Sequence, residues 1–299
     1  MRVWLITGCS RGLGRALAEE ALDRGDVVVA TARRLDDLED LVARRPEQCL
    51  GLELDVTDHA AVRAVADAAL GVLGHVDVLV NNAGYGHLGA VEEVTEAEAR
   101  EQLETNFFGP LALTQALLPH MRARRAGCIV NASSHSGFAA FPGFGLYAAS
   151  KFALEGLSEA LALELAPLGV HVTIVEPGPF RTDWAGPSLH RSDAVIEDYA
   201  GSSGRVREFM NGWWGHQPGD PAAAARAIAD AVTSETPPLR LLLGRAAIDE
   251  ARAKLASFAR DVDASEAVAV AADFAAAGAP DGVPPAPDAY AALEDITRT

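Results

Sequence analysis

The segment YAASKFALEGLSEAL, which begins at Tyr147, places a tyrosine four residues before a lysine, Lys151, at the start of an apolar helical pattern. Residues i and i+4 lie on one face of a helix, so the Lys151 ammonium is expected near the Tyr147 phenol. A nearby positive charge lowers the pKa of a phenol from its usual value of about 10. The spacing therefore predicts a general acid or base at Tyr147, although a surface Tyr–Lys pair would show the same spacing.

A second segment with chemical potential is the glycine-rich turn TGCSRGLGRAL, which follows the first apolar run of the chain. Its glycines are Gly8, Gly12 and Gly14. Glycines let the backbone approach a pyrophosphate closely, and the N-terminus of a following helix offers free N–H groups and a positive dipole end. Such turns also serve tight packing alone, but a position between an N-terminal strand and a helix favours dinucleotide binding.

The end of the second apolar run, VVVATARR, bears on the choice of dinucleotide. NAD-binding proteins commonly place an acidic residue here to hold the ribose 2′-hydroxyl. This chain has no carboxylate at Thr31 or Ala32 and continues with Arg33 and Arg34, while Arg11 lies in the glycine turn. A guanidinium can bind a 2′-phosphate by charge and geometry, so NADP(H) is predicted over NAD(H). The alternative is that these arginines are solvated loop charges.

The elements that would position these residues follow from the alternation of short apolar runs with longer helical patterns. The predicted strands are residues 3–6, 27–30, 50–54, 76–80, 128–131, 170–175 and 239–244. Strands alternating with helices predict a parallel sheet with helices on both faces, here an α/β/α three-layer single domain over residues 1–264. The irregular stretch at about 183–219 is predicted to be a substrate lid, and 265–299 a loose C-terminal extension.

Composition narrows the classes of partner. Of the 299 residues, 49% are hydrophobic, and the formal net charge of −17 argues against nucleic acid and anionic membranes as partners. The cysteines Cys9, Cys49 and Cys128 form no CxxC pair and the histidines show no ligand spacing, so neither a disulfide framework nor a metal site is expected. Without a long apolar run or a signal peptide pattern, a cytoplasmic location is expected.

Three more motifs complete a pattern. NNAG (81–84) follows a predicted strand, Asn106 lies in the next helix, and NASSHSG places Ser134 thirteen residues before Tyr147. Together with TGCSRGLG and YAASK, these motifs resemble the short-chain dehydrogenase/reductase family over about the first 185 residues. The segments VVVATARR and PGPFRTDW resemble the branch that includes hydroxysteroid and retinol dehydrogenases and related bacterial ketoreductases.

The resemblance implies a Rossmann-type, doubly wound fold and a role for each matched residue. Tyr147 would be the general acid/base, and Lys151 would lower its pKa and bind the nicotinamide ribose. Ser134 would bind the substrate oxygen, and Asn106 would help hold a water in a proton relay. The expected cofactor-binding residues are Gly8, Ser10, Arg11, Gly12, Leu13, Gly14, Arg33, Asp55, Val56, Asn82, Ala83, Gly84, Tyr147, Lys151, Pro177, Gly178 and Thr182.

These features predict an NADP(H)-dependent oxidoreductase that interconverts a ketone or aldehyde and the corresponding alcohol. The alternatives are an NAD(H)-dependent alcohol dehydrogenase and a catalytically silent dinucleotide-binding redox sensor. Aromatic residues in and near the lid favour an apolar substrate, with His135, Phe141, Phe144 and Trp184 as its expected contacts. The family resemblance also implies a homodimer or homotetramer, formed through the helices that carry Asn106 and Tyr147.

Overall fold

A computed structural model describes residues 1–272 of the chain. Its strands are β1 (Val3–Ile6), β2 (Val27–Ala32), β3 (Cys49–Glu53), β4 (Val78–Asn81), β5 (Gly86–Leu88), β6 (Gly127–Ala132), β7 (Val170–Pro177), β8 (Leu189–Arg191) and β9 (Arg240–Leu243). Its α-helices are α1 (Gly12–Asp23), α2 (Glu39–Arg44), α3 (His59–Leu73), α4 (Glu96–Leu103), α5 (Gly109–Arg124), α6 (Gly145–Leu165), α7 (Arg205–Asn211), α8 (Pro221–Val232) and α9 (Arg245–Val270).

The central sheet has seven parallel strands in the order β3-β2-β1-β4-β6-β7-β9. This confirms the predicted doubly wound α/β fold, and the seven predicted strands are all present with ends shifted by at most two residues. The strand order reverses between β1 and β4, and Trp4 of β1 lies in register with Val28 of β2 on one side and Val78 of β4 on the other. In such sheets the ligand crevice lies outside the carboxyl ends of the strands at this point.

Two apolar layers hold the helices against the sheet. Because successive side chains of a strand point to opposite faces, β1 buries Trp4 and Ile6 with the core of α1 and α8 on one side. It buries Val3 and Leu5 with the core of α3, α5 and the end of α6 on the other side. The helices therefore cover both faces, and the functional groups collect at the sheet edge.

Three local features differ from the predicted elements. The helix predicted to carry Asn106 is divided into α4 and α5 by a π-helical turn, Glu104–Phe108. The stretch predicted as an irregular lid contains short helical segments, among them α7. Its strand β8 pairs in parallel with β5 to form a second, two-stranded sheet. Strands of three residues carry too little periodicity to be recognised in a sequence.

The chain forms two compact units, residues 1–248 and the residues from 249 onward. The first unit contains the whole central sheet. In the second, α9 continues to Val270, so residues 265–270 of the predicted extension are helical. Ala and Glu, which are good helix formers, make up half of these six residues. The remainder of the predicted extension, 273–299, lies outside the described residues.

Candidate active site

A cavity of about 680 Å³ opens at the carboxyl edge of the central sheet. Its walls include the turn after β1 and the segments that follow β4, β6 and β7. The aromatic residues of the predicted lid form part of the same cavity. The fold therefore brings the predicted cofactor and substrate residues to one place.

Three predicted catalytic residues meet at this cavity. Helix α6 begins at Gly145 and presents Tyr147 and Lys151 on successive turns, while Ser134 follows β6. Ser134 is hydrogen-bonded to the buried phenol of Tyr147, and its own hydroxyl oxygen accepts the backbone N–H of Ser136 at 3.0 Å. Lys151 Nζ lies 5.9 Å from the centroid of the Tyr147 ring and donates to the carbonyl oxygen of Ala132 at 2.7 Å.

Burial controls the protonation of this group. It raises the pKa of Tyr147 to about 12, and the hydrogen bond from Ser134 opposes this shift. It lowers the pKa of Lys151 to about 8, and the charge of Glu155 opposes that shift. The net pKa of Tyr147 is thus raised, whereas its spacing from Lys151 predicted a lowered value. The Lys151 ammonium is distant from the phenol and binds the Ala132 carbonyl. Its stabilisation of the phenolate is therefore smaller than the free-energy cost of removing the phenolate from water.

Asn106 lies in the π-helical turn and is completely buried. Its Nδ2 donates to the carbonyl oxygen of Tyr85 at 3.0 Å and to Ser150 Oγ at 3.1 Å, and its Oδ1 accepts the N–H of Tyr85 at 3.2 Å. A Cβ on Gly84 would lie 3.0 Å from Asn106 Oδ1 and 3.6 Å from Lys151 Nζ. The side chain thus fixes the segment after β4 beside Lys151, and its role in a proton relay stays a prediction.

The glycine turn has the backbone conformation that its sequence predicts. Gly8 and Gly12 have φ values of +74° and +63°, which favour glycine. A Cβ on Gly14 would clash with Asn82 Nδ2 and with the carbonyl oxygen of Gly8. Asn82 Nδ2 donates to the carbonyl oxygens of Thr7 at 2.8 Å and Gly8 at 3.3 Å, so it locks the turn. Gly14 lies beneath the turn and does not line the cavity, nor does Asn106.

Thr7 is a residue of this site that the sequence interpretation missed. It is buried, and its Oγ1 accepts the backbone N–H groups of Asn82 and Ala83, both at 2.9 Å. These bonds join the turn after β1 to the segment after β4. The sequence offered one signal for this role, a hydroxyl-bearing residue directly before Gly8 at the end of the first predicted strand.

The cavity wall near the end of β2 carries unpaired positive charge. Arg11 and Arg33 line the cavity and are exposed, and neither guanidinium makes a hydrogen bond or an ion pair with any residue of 1–272. Arg34, by contrast, lies 3.7 Å from Asp36. Asp55 Oδ1 accepts the N–H and the hydroxyl of Thr57 at 3.0 and 2.8 Å. A glycine-rich turn beside two guanidinium groups that have no partner among residues 1–272 fits the phosphates of a dinucleotide.

The remaining expected cofactor residues also line the cavity. Ser10, Leu13 and Val56 lie with the glycine turn and Asp55, and Pro177, Gly178 and Thr182 lie beyond β7. Gly178 N–H donates to the carbonyl oxygen of Leu243 at 2.9 Å. Thr182 Oγ1 accepts the N–H of Trp184 at 3.3 Å. These bonds hold the segment after β7 between the cofactor side and the aromatic side of the cavity.

The expected substrate contacts form an aromatic wall around Tyr147. The Trp184 ring lies 5.1 Å from the ring of Tyr147 and 6.0 Å from that of Phe144, and His135 lies 5.1 Å from Phe141. Burial lowers the pKa of His135, which favours its neutral imidazole. Trp213, one of the aromatic residues of the predicted lid, also lines this wall. Further wall residues that the sequence interpretation did not select are Tyr85, His190, Val206, Phe209, Met210 and Gln217.

Comparisons with known proteins identify the family. A sequence model described as short chain dehydrogenase matches residues 2–192. An oxidoreductase named BOA17 of Botryotinia fuckeliana is 38% identical over 84% of this chain and 91% of its own. A 3-ketodihydrosphingosine reductase of Bacteroides thetaiotaomicron is 37% identical over 81% and 88%. Human retinol dehydrogenase 8 is 36% identical over 80% of each chain. The chain belongs to the short-chain dehydrogenase family of oxidoreductases.

Solved structures agree with this assignment. A short-chain dehydrogenase from Streptomyces avermitilis shares 47% identity and a TM-score of 0.86, over 91% of this chain and 98% of that one. A family member from Burkholderia phymatum, in complex with NAD, has 26% identity and a TM-score of 0.75 over 84% and 92%. A metagenomic oxidoreductase in complex with NADP has 28% identity and a TM-score of 0.64 over 81% and 96%.

Among the described residues, no three His, Cys, Asp or Glu side chains are grouped so that they could hold a metal ion. No helix of residues 1–272 is long and apolar enough to cross a membrane.

Proposed function

We propose that this protein is an NADP(H)-dependent oxidoreductase that interconverts an apolar ketone or aldehyde and the corresponding alcohol. The observation that carries the proposal is the buried group of Ser134, Tyr147 and Lys151, which lines a cavity shared with a glycine turn. Membership of an oxidoreductase family supports the class of reaction. The binding of NAD or NADP by two structural relatives supports a nicotinamide dinucleotide.

The preference for NADP(H) rests on Arg11 and Arg33. Their guanidinium groups find no partner within residues 1–272 and line the cavity near the end of β2. A 2′-phosphate would compensate both charges, whereas a ribose hydroxyl would not. NAD(H) is the second candidate, because one structural relative is a complex with NAD.

The residues of the chain handle the proton of the reaction. The cofactor, when bound, supplies or accepts the hydride. In reduction, Ser134 and Tyr147 donate hydrogen bonds to the substrate oxygen, and the phenol gives up its proton as that oxygen gains negative charge. Burial keeps Tyr147 protonated near neutral pH, as this donor role requires. The Lys151 ammonium stabilises the resulting phenolate, and in oxidation the phenolate accepts the alcohol proton.

The apolar substrate is supported by the aromatic wall formed by Phe141, Phe144 and Trp184. Two relatives are named for a ketodihydrosphingosine and for retinol, which are both largely apolar molecules. Such a wall excludes water from the reacting oxygen and strengthens the hydrogen bonds it receives. The expected homo-oligomer, the cytoplasmic location and a catalytic domain over residues 1–264 stay predictions.

The test is oxidation of NADPH and NADH with a panel of ketones and aldehydes, using Tyr147→Phe beside the wild type. Without the phenol proton donor, kcat/KM should fall by about 1000-fold, while NADPH binding, measured by fluorescence, should remain. The matched control is Tyr199→Phe, because Tyr199 does not line the cavity and its hydroxyl donates to Glu92 at 2.7 Å. It should keep full activity.

Three outcomes would contradict parts of the proposal. Substantial activity in Tyr147→Phe would exclude the assigned proton donor. A consistent preference for NADH would make the protein an NAD(H)-dependent dehydrogenase. Tight NADPH binding without turnover of any carbonyl compound would favour a dinucleotide-binding sensor.

A further inference from the structure

A cluster of charged side chains lies behind the proposed active site, one helical turn beyond Lys151. Glu155 of α6 and Glu176 of β7 both bond to the guanidinium of Arg240 at the start of β9. Glu159, one turn further along α6, bonds to the same guanidinium. The side chains of Glu155 and Glu176 are only 7% and 1% exposed, whereas that of Glu159 is 53% exposed.

One arginine cannot balance two buried carboxylates. Buried charges are costly unless they are paired, so Glu155 and Glu176 require a second positive charge nearby. Lys151 is the one lysine or arginine among the buried residues of the described chain. It precedes Glu155 by four residues in α6, which places both side chains on one face of the helix.

The loop that carries Ser134 covers this carboxylate. A Cβ on Gly137 would lie 2.7 Å from Glu155 Oε1, so the backbone of the loop lies directly against Glu155. Glu155 Oε1 itself has no hydrogen-bond partner among residues 1–272. Because water is excluded on this side, the field of the carboxylate is poorly screened.

The electrostatics agree with this geometry. The Glu155 charge raises the pKa of Lys151 and thereby opposes the effect of burial. Burial, together with the charge of Glu155, raises the pKa of Glu176 to about 7. A raised pKa at Glu176 is the response expected where one guanidinium faces two buried carboxylates.

We propose that Glu155 is a positioning residue of this site, whose carboxylate, anchored by Arg240, supplies the counter-charge of the Lys151 ammonium. The inference rests on the proposed function, since it explains how the chain keeps a positive charge beside Tyr147. Glu155 acts through Lys151 and does not line the cavity.

The chain offers an unusually clean measurement, because Lys151 and Lys254 are its only lysines. In cofactor-free protein carrying ¹³C-labelled lysine, the Cε signals can be followed through a pH titration, and Lys254→Arg assigns them. The wild-type Lys151 signal should titrate at about 8. Glu155→Gln should lower that midpoint by about 1 pH unit or more, as expected for loss of an adjacent opposite charge.

The matched control is Glu159→Gln, which also removes a carboxylate from Arg240 but at an exposed position. It should leave the Lys151 midpoint unchanged. An unchanged midpoint in Glu155→Gln, or equal shifts in both variants, would overturn the proposal. If Glu155→Gln does not fold, Glu155→Asp carries the test. Its shorter side chain places the carboxylate farther from Lys151, so the midpoint of the Lys151 titration should still fall. An unchanged midpoint in Glu155→Asp would refute the assignment.

Turnover provides an independent readout. If Lys151 must be protonated for catalysis, the alkaline limb of the kcat/KM profile should move to lower pH in Glu155→Gln and stay in place in Glu159→Gln. The titration uses no cofactor or substrate, so it tests Glu155 even if no carbonyl substrate is turned over. Absence of activity would therefore count against the proposed function alone.

Discussion

At the scale of single residues, burial sets the starting protonation of Tyr147 and Lys151. Burial raises the pKa of the Tyr147 phenol to about 12 and lowers the pKa of the Lys151 ammonium to about 8. It therefore favours the neutral form of both groups. Only charged or hydrogen-bonded neighbours oppose it, namely Ser134 for Tyr147 and Glu155 for Lys151. The helical spacing brings Tyr147 and Lys151 together, but the burial and the neighbours of each side chain determine its protonation state.

Arg33 is the residue whose replacement tests the choice of cofactor. Arg33→Ala should weaken NADPH binding by about tenfold or more, the usual cost of losing a charge-assisted hydrogen bond, and should leave NADH binding nearly unchanged. The control is Arg34→Ala, since the neighbouring Arg34 already has Asp36 as a partner. Dissociation constants from fluorescence titration check the prediction, and an unaltered ratio of NADPH to NADH affinity would contradict it.

At the scale of elements, the turn between β1 and α1 is held by groups from a neighbouring strand. Asn82 bonds to the carbonyl oxygens of Thr7 and Gly8, and Thr7 binds two N–H groups after β4. Gly14 completes the arrangement because it leaves room for the Asn82 amide. The glycine turn is therefore held in place by hydrogen bonds within the chain.

Gly14→Ala should disrupt this turn. Its Cβ would overlap Asn82 and the Gly8 carbonyl, so the free energy of unfolding should fall by about 1–3 kcal/mol and dinucleotide affinity should fall with it. Gly71→Ala is the control, because Gly71 lies in α3 with no atom within 4 Å of its added Cβ. That change should raise the free energy of unfolding by about 0.5 kcal/mol. Chemical denaturation measures both, and equal effects would refute the prediction.

The segment predicted as a lid is tied to the segment after β4. Glu93 accepts the N–H of Ile196 at 2.9 Å and binds the guanidinium of Arg207 at 2.9 Å. His87 Nε2 lies 2.9 Å from Ser192 Oγ, next to the pairing of β5 with β8. The aromatic wall of the cavity is thus positioned by buried polar contacts that no periodic pattern indicates.

At the scale of the molecule, one edge of a parallel sheet collects the carboxyl ends of β1, β4, β6 and β7. Side chains separated by more than a hundred residues, such as Arg33 and Trp184, line one cavity there. Apolar residues from the segment after β7 line one end of the cavity, and the glycine turn lines the other. The proposed function assigns the apolar end to the carbonyl compound and the end at the glycine turn to the dinucleotide.

This division predicts a dependence on substrate size. In a series of linear methyl ketones, kcat/KM with NADPH should rise by about fourfold for each added methylene, the gain expected for burying apolar surface, until the cavity is filled. The matched series carries a terminal hydroxyl, which loses its hydration in the aromatic wall and should remove much of the gain. A flat dependence on chain length would show that the wall does not bind the substrate.

The strands of the central sheet, the glycine turn and the motif residues were predictable because each depends on a local pattern. Strand and helix follow from hydrophobic periodicity, and the positive φ of Gly8 and Gly12 follows from residue type. Ser134, Tyr147 and Lys151 were found because their spacing repeats a known motif in the order that a parallel sheet requires.

The packing of distant segments decided the rest. Whether Tyr147 is acidic depends on how completely neighbouring elements exclude water, and no spacing along the chain reports that exclusion. The contacts of Thr7 with Asn82, of β5 with β8, and of Glu155 with Arg240 each join residues at least 75 positions apart. Such contacts exist only once the sheet has assembled, because the sheet, and not the local sequence, determines which groups become neighbours.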